Sequence, residues 1–233
     1  MATTPAALRL DEPLGLTEVI AEAIRAFGRN FAPLLGVGLA HTGAFLLQEV
    51  LPWGATVIVL AAVFVITFGV VVHLLAGKSL GAAFRDLLPS APVLLVLAFG
   101  VGIPFYMALS FLIFVPIAII WLAVWSYAIP AVLLEPRGGM SSVGQRVTYG
   151  VRRAVTLARV DVAHSLGVIV TLVLVYLIVG ILMASLLATL ADNSRVAAIA
   201  ISQSVLAPFF FLGMAVLYFD QRARETGLRP VRR

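Results

Sequence analysis

Charge is scarce in this chain: 12% of its 233 residues are Asp, Glu, Lys or Arg, and cysteine is absent. A soluble domain carries about 25% charged residues, so a soluble globule could not cover its apolar surface here. Without cysteine there is no disulfide, no thiolate metal site and no thiol nucleophile. Lysine occurs once, as Lys78, and the three histidines stand far apart in sequence with no cluster of carboxylates beside them. They do not form a metal-ligand pattern. The sequence also lacks a glycine-rich phosphate loop, a nucleophile–base pair and paired carboxylates. No catalytic residue, metal or cofactor is therefore expected, and the chain does not read as an enzyme. What is abundant is hydrocarbon: 62% of residues are hydrophobic and the mean hydropathy is +1.10. That combination predicts an integral membrane protein. In such a chain the net charge of +5 matters less than how the charges are sorted, and no nucleic-acid partner is expected.

A helix needs roughly 20 apolar residues to cross a bilayer core of about 30 Å. Six stretches qualify: 31–51, 55–76, 91–110, 115–134, 165–190 and 196–219. Pro116 suits the first turn of the fourth. Gly100, Gly102, Pro104, Pro116 and Pro130 predict kinks between Pro89 and Glu135. Met1–Pro13 has no apolar run followed by a small-residue cleavage site, so no cleavable signal peptide is expected. The expectation is one all-α membrane domain over 1–233.

The basic residues sort by loop. Fifteen of the sixteen precede the first span, lie between spans two and three or four and five, or follow span six. Arg195 alone falls on the other side. The positive-inside rule then puts both termini in the cytoplasm. Arginine-rich, lysine-poor composition with much Ala, Val and Leu reads as a bacterial chain of the cytoplasmic membrane.

Three amphipathic stretches lie on that basic side. In the first, Leu16, Ile20, Ala23, Phe27 and Phe31 oppose Glu18, Glu22, Arg25 and Arg29. The second is capped by Ser79, lined by Leu80, Phe84, Leu87 and Leu88, and ended by Pro89. The third, 141–159, sets Val143, Val147, Val151 and Val155 against Arg146, Arg152, Arg153 and Arg159. Each precedes a pair of spans, and they start at Leu16, Leu80 and Val143. This spacing fits a threefold pseudo-repeat over 14–76, 78–135 and 141–219. It equally fits a plain hairpin bundle with amphipathic connectors.

Three segments carry a family likeness. Asp11–Ile20 with Arg29–Gly36 resembles the opening of the membrane domain found in glycerophosphoryl diester phosphodiesterases and in stand-alone bacterial membrane proteins. Tyr127–Glu135 is similar to that family's span-ending segment. Leu217–Leu228 resembles its closing motif, Tyr-x-Asp-x-Arg-x-Arg-x-x-Gly. Two positions depart from it: Gln221 stands where a hydrophobic residue is usual, and Gly144-Gln145-Arg146-Val147 replaces Ala-x-x-Arg-Ser. The resemblance implies a six-span bundle and no phosphodiesterase activity, because the family's catalytic barrel is a separate domain.

Ion-coupled transport usually needs ionisable groups inside spans, and no Asp, Glu, Lys or Arg falls at mid-span. His41, beside Thr42, is the titratable mid-span group. It could be a proton or ligand contact, or a helix–helix hydrogen bond to a carbonyl or to Gln48. His73 and His164 read as interfacial. Asp220 opposes the helix dipole at its C-terminus, which suggests a partner; with Arg222 and Arg224 it reads either as a clamp, reaching across to Arg152 or Arg153, or as a helix end with solvated charges. Glu135 is a similar case. Gly36-x-Gly38, Gly100-x-Gly102 and Ala184-x-x-x-Ala188 allow close helix approach. Trp53 suits the outer interface, and Trp121 and Trp125 read as packing residues. The arginine-rich face could also bind anionic headgroups. The function expected is association with membrane lipids, a membrane-protein partner or a second copy. The alternative is transport of a small solute past His41 and Thr42. An open cavity at His41 would favour transport, and a lipid groove at the arginine face would favour association.

Overall fold

The computed structural model describes residues 12–47, 50–109, 112–135, 139–188 and 194–228. The structure is 88% helical, with no strand among the described residues. The helices are α1 (Leu16–Arg29), α2 (Phe31–Leu46), α3 (Trp53–Leu75), α4 (Leu80–Leu87), α5 (Ala91–Leu97), α6 (Ile103–Leu109), α7 (Val115–Trp125), α8 (Ala128–Leu134), α9 (Val143–Ala158), α10 (Val162–Ala188) and α11 (Ser194–Leu228). Five helical runs are long and apolar enough to cross a membrane: Trp53–Leu75, Leu80–Gly102, Val115–Leu134, Val162–Met183 and Ala200–Gly227. This is a multi-pass membrane protein with an all-α bundle.

The first expected span is shorter than 31–51. It forms α2, 16 residues long and about 24 Å at the usual helical rise. The Leu14 amide donates to Asp220 Oδ1 at 2.6 Å, so the segment before α1 and the end of α11 meet at one end of the bundle, as an even number of crossings with α2 among them would require.

Proline chemistry sets the breaks. Pro104 has no N–H for the Gly100 carbonyl, and the chain widens into a π turn at Ala98–Gly102 between α5 and α6. Pro130 has none for Ser126, and α7 gives way to α8 there. Pro89 does not end the second amphipathic stretch as expected. It sits in a 3₁₀ turn, Leu88–Ser90, that carries α4 into α5. Its fixed φ suits the first turn of a helix, where its missing N–H is not needed. Pro208 lies within α11 without ending it.

The centre of the bundle is α3 and α11; 67% and 72% of their apolar stretches are buried, against 17% for α10. Close approach relies on glycine at particular places. A Cβ on Gly38 of α2 would fall 1.9 Å from the Ser204 carbonyl oxygen of α11. Pro208 leaves that same carbonyl without its helical partner. A Cβ on Gly102 would lie 2.8 Å from that of Ala61 in α3, whereas Gly36 and Gly100 face open space. The side chains of Ala184 and Ala188 lie outside the described residues.

The amphipathic helices match the expected pattern in part: Leu16, Ile20 and Phe27 of α1 and Val147 of α9 pack half-buried on the core. In α1 the buried residues are Val19, Glu22, Ala23 and Ala26, while Ile24 and Phe31 are exposed. In α9 they are Gly150, Ala154, Leu157 and Ala158, and the valine row is only half-buried or exposed. Hydrocarbon tails accept large aliphatic groups as readily as a protein core does, so close packing rather than apolar area selects the inner face. Small residues win that face. Glu22, expected on the solvent side, is buried on it; Arg29 holds its Oε1 at 2.5 Å and Arg25 its Oε2.

Candidate functional site

Two clamps of charged side chains tie the helix ends together where α1, α8, α9, α10 and α11 converge. The first is centred on Arg153 of α9. Its Nε donates to both Glu135 oxygens at 2.9 Å. Its terminal nitrogens donate to Glu225 at 2.8 and 2.6 Å. Glu135, just past α8, also accepts from Tyr149 and, at 3.0 Å, from Tyr218 Oη. The hydrogen bonds from Glu225 and then Glu135 raise the Arg153 pKa, so it stays charged. Burial, then the bond to Glu135, pushes the Tyr149 phenol up to about 12, which keeps it a donor.

The second clamp is centred on Asp220, whose side chain is 0% exposed. It takes the Leu14 amide on Oδ1 and Arg224 Nε on Oδ2 at 2.9 Å. His164 Nε2 stands 3.0 Å from Oδ2. Arg224 continues to Asp161 Oδ2 at 3.1 Å and to the Leu14 carbonyl. Asp161 in turn accepts the His164 amide at 2.9 Å, capping α10. Asp220 therefore pairs with Arg224 and His164, and not with Arg152 or Arg153. Arg152 is exposed, Arg222 half-buried, and neither makes an ion pair among the described residues. His164 is mostly buried in the clamp, and His73 is buried at the end of α3 with both ring nitrogens unpartnered. The three segments that carry the family likeness meet in these clamps: Leu14 from the first, Tyr127 and Glu135 from the second, Tyr218, Asp220 and Arg224 from the third. Tyr127 joins through Ser165 Oγ, 2.8 Å away, which bonds the Asp161 carbonyl. Gln221 is fully buried, with Oε1 lacking a partner.

Beside the clamps, α7, α9 and α10 enclose an apolar groove of about 150 Å³. Ile120, Val124, Val155, Val162 and Leu166 line it, and Arg159 is its charged member. Arg159 is exposed and forms no ion pair among the described residues.

A larger cavity, about 410 Å³, lies in the opposite half of the bundle. His41 and Phe45 of α2, Leu60 and Phe64 of α3, Tyr106 of α6, Ile119 of α7, Tyr176 and Leu177 of α10, and Gln203, Phe210 and Phe211 of α11 line it. Half of its wall residues carry rings and none is Asp, Glu, Lys or Arg. His41 is buried, and its Nδ1 has no hydrogen-bond partner. Its ring meets Phe211 edge-on at 5.5 Å. The helix–helix hydrogen bond expected of His41 belongs to Thr42, which bonds Ser204 Oγ at 2.9 Å and the Ala200 carbonyl at 3.2 Å. Gln48 lies outside the described residues. Trp121 reaches the Val101 carbonyl in the π turn at 3.3 Å, and Trp53 is exposed.

Among the described residues no cluster of His, Asp or Glu could hold a metal ion. No protein-family model, curated protein or solved structure matches this chain.

Proposed function

We propose that this is a non-enzymatic protein of the bacterial cytoplasmic membrane that acts by association with anionic lipid, its arginine-bearing end and both termini in the cytoplasm. The groove between α7, α9 and α10 carries this reading. Its apolar walls suit an acyl chain, and Arg159 stands where a headgroup phosphate would lie. Arg152, two helical turns back on α9, is exposed on the same side. Each basic residue near the surface contributes about 1 kcal/mol toward an anionic leaflet. The clamps support the reading indirectly, because they occupy Arg153 and Arg224 internally and leave Arg152 and Arg159 for lipid. Membership of the glycerophosphoryl diester phosphodiesterase membrane-domain family is part of the same proposal.

The test is native mass spectrometry of the protein purified from its own membrane. Wild type is expected to retain anionic phospholipid, and Arg159→Ala to bind it at least about tenfold more weakly, as loss of one charged hydrogen bond of about 1.5–3 kcal/mol requires. Equal retention by both proteins would sink the idea. A second reading, transport of a small solute, is favoured by the cavity at His41. An ion-coupled form predicts a current when a pH step is applied across reconstituted vesicles, and a silent membrane speaks against it.

A further inference from the structure

We propose that the 410 Å³ cavity seats the flat head of a neutral amphiphile, a conjugated ring bearing oxygen acceptors of the quinone class, with its apolar tail lying among the lipids. Four observations converge on this chemistry. First, the volume lies within the range of small-molecule sites, about 300–1,000 Å³. Second, the walls form a run of aromatic contacts. Phe211 meets His41 at 5.5 Å and Phe64 at 5.4 Å, and Phe64 meets Tyr106 at 6.1 Å. Offset and edge-on geometry of this kind favours another flat ring over a flexible chain. Third, the polar groups at the wall are neutral ones: His41, Tyr106, Tyr176 and Gln203. Tyr176 already donates to Gln203, which leaves the Gln203 amide N–H groups as donors for a ring carbonyl. A buried His41 whose Nδ1 lacks a partner is costly unless a ligand or water repays it. A charged head would find no counter-ion in this wall. Fourth, Leu177 is 42% exposed while lining the cavity. The cavity therefore opens on the lipid-facing side of α10, where a tail can leave. The site is separate from the Arg159 groove and does not depend on it.

The experiment uses the full-length protein in non-ionic detergent, with a decyl-substituted benzoquinone as probe and decanol as the ringless comparator. A ligand that binds the folded state raises the unfolding midpoint. The benzoquinone is expected to raise it at concentrations where decanol does not. His41→Phe keeps the ring and its contact with Phe211 but removes the nitrogens. Gln203→Leu removes the amide. Each is expected to weaken benzoquinone binding about tenfold, the equivalent of one hydrogen bond, and Arg159→Ala to leave it unchanged. Should His41→Phe fail to fold, Gln203→Leu gives the same readout. Equal responses to benzoquinone and decanol, no response to either, or undiminished affinity in the folded variants would overturn the proposal.

Discussion

At the scale of single residues, the charges matter by where they end rather than by their number. Asp220 is fully buried and takes Leu14, Arg224 and His164 around one carboxylate. Replacing it with Ala would leave Arg224 in a half-buried site without its nearest carboxylate. Breaking a buried pair from one side costs about 3–5 kcal/mol, so Asp220→Ala should lower the thermal midpoint in detergent sharply. Asp220→Asn, which keeps an acceptor for the Leu14 amide, should lower it less; equal loss in both would mean that the charge carries the whole effect and the retained acceptor contributes nothing. Part of this was legible in the sequence. The expected conflict with the dipole calls for a partner, but it assumes a helix ending near Phe219; α11 runs on to Leu228, and it is burial of Asp220 that requires one. Its identity was not legible. Arg152 and Arg153 are adjacent, and only the rotation of α9 decides which one faces Glu135 and Glu225. Leu14 could not have been found at all, because it takes part through its backbone.

At the scale of elements, the helices were legible and their facing was not. Apolar periodicity marks α1 and α9 as amphipathic, yet the residues they bury are largely the small ones. The usual inference assumes water outside and protein inside. Beside a bilayer the large aliphatic side chains have two equally good environments, and backbone approach decides. The same physics separates two glycines only two residues apart in sequence. Gly36 has nothing within 4 Å of a notional Cβ, whereas Gly38 has Ser204 oxygen at 1.9 Å. Gly36→Ala should be neutral or stabilising by about 0.5–1 kcal/mol from helix propensity. Gly38→Ala must force α2 away from α11, at a cost of about 1–3 kcal/mol or more, and should release the Thr42–Ser204 bond. Unfolding titrations of the two variants side by side check this; matching midpoints would contradict it. The cavity at His41 was beyond sequence reasoning for a related reason. Its wall is assembled from six helices, and only the presence of one polar group amid hydrocarbon hinted at it.

At the scale of the whole molecule, the crossing number follows from contact rather than from hydropathy. Five runs satisfy the length criterion, and an odd count would separate the two ends of the chain. The Leu14–Asp220 bond keeps them together, which calls for a sixth traverse, and α2, with its 16 residues, is the candidate. Reporters fused in turn to the N- and C-termini should therefore give the same answer, and the positive-inside rule predicts that both read as cytoplasmic. Reporters on opposite sides would refute the six-crossing bundle. A short α2 further implies that the bilayer thins, or the helix's flanking residues adapt, where it meets lipid.

The clasp between Leu14 and the end of α11 also has a consequence in time. Its partners are 206 residues apart in sequence, so nothing made early can complete it. At about 5–20 residues per second of synthesis, the first amphipathic helix waits roughly 10–40 s for its final partner. During that interval α1 and α2 sit in the membrane without the helix that buries them, and a ribosome that stalls before α11 leaves a product open at that face. Such truncated chains should be the preferred substrates of membrane quality control, while a chain that includes α11 is closed at that face.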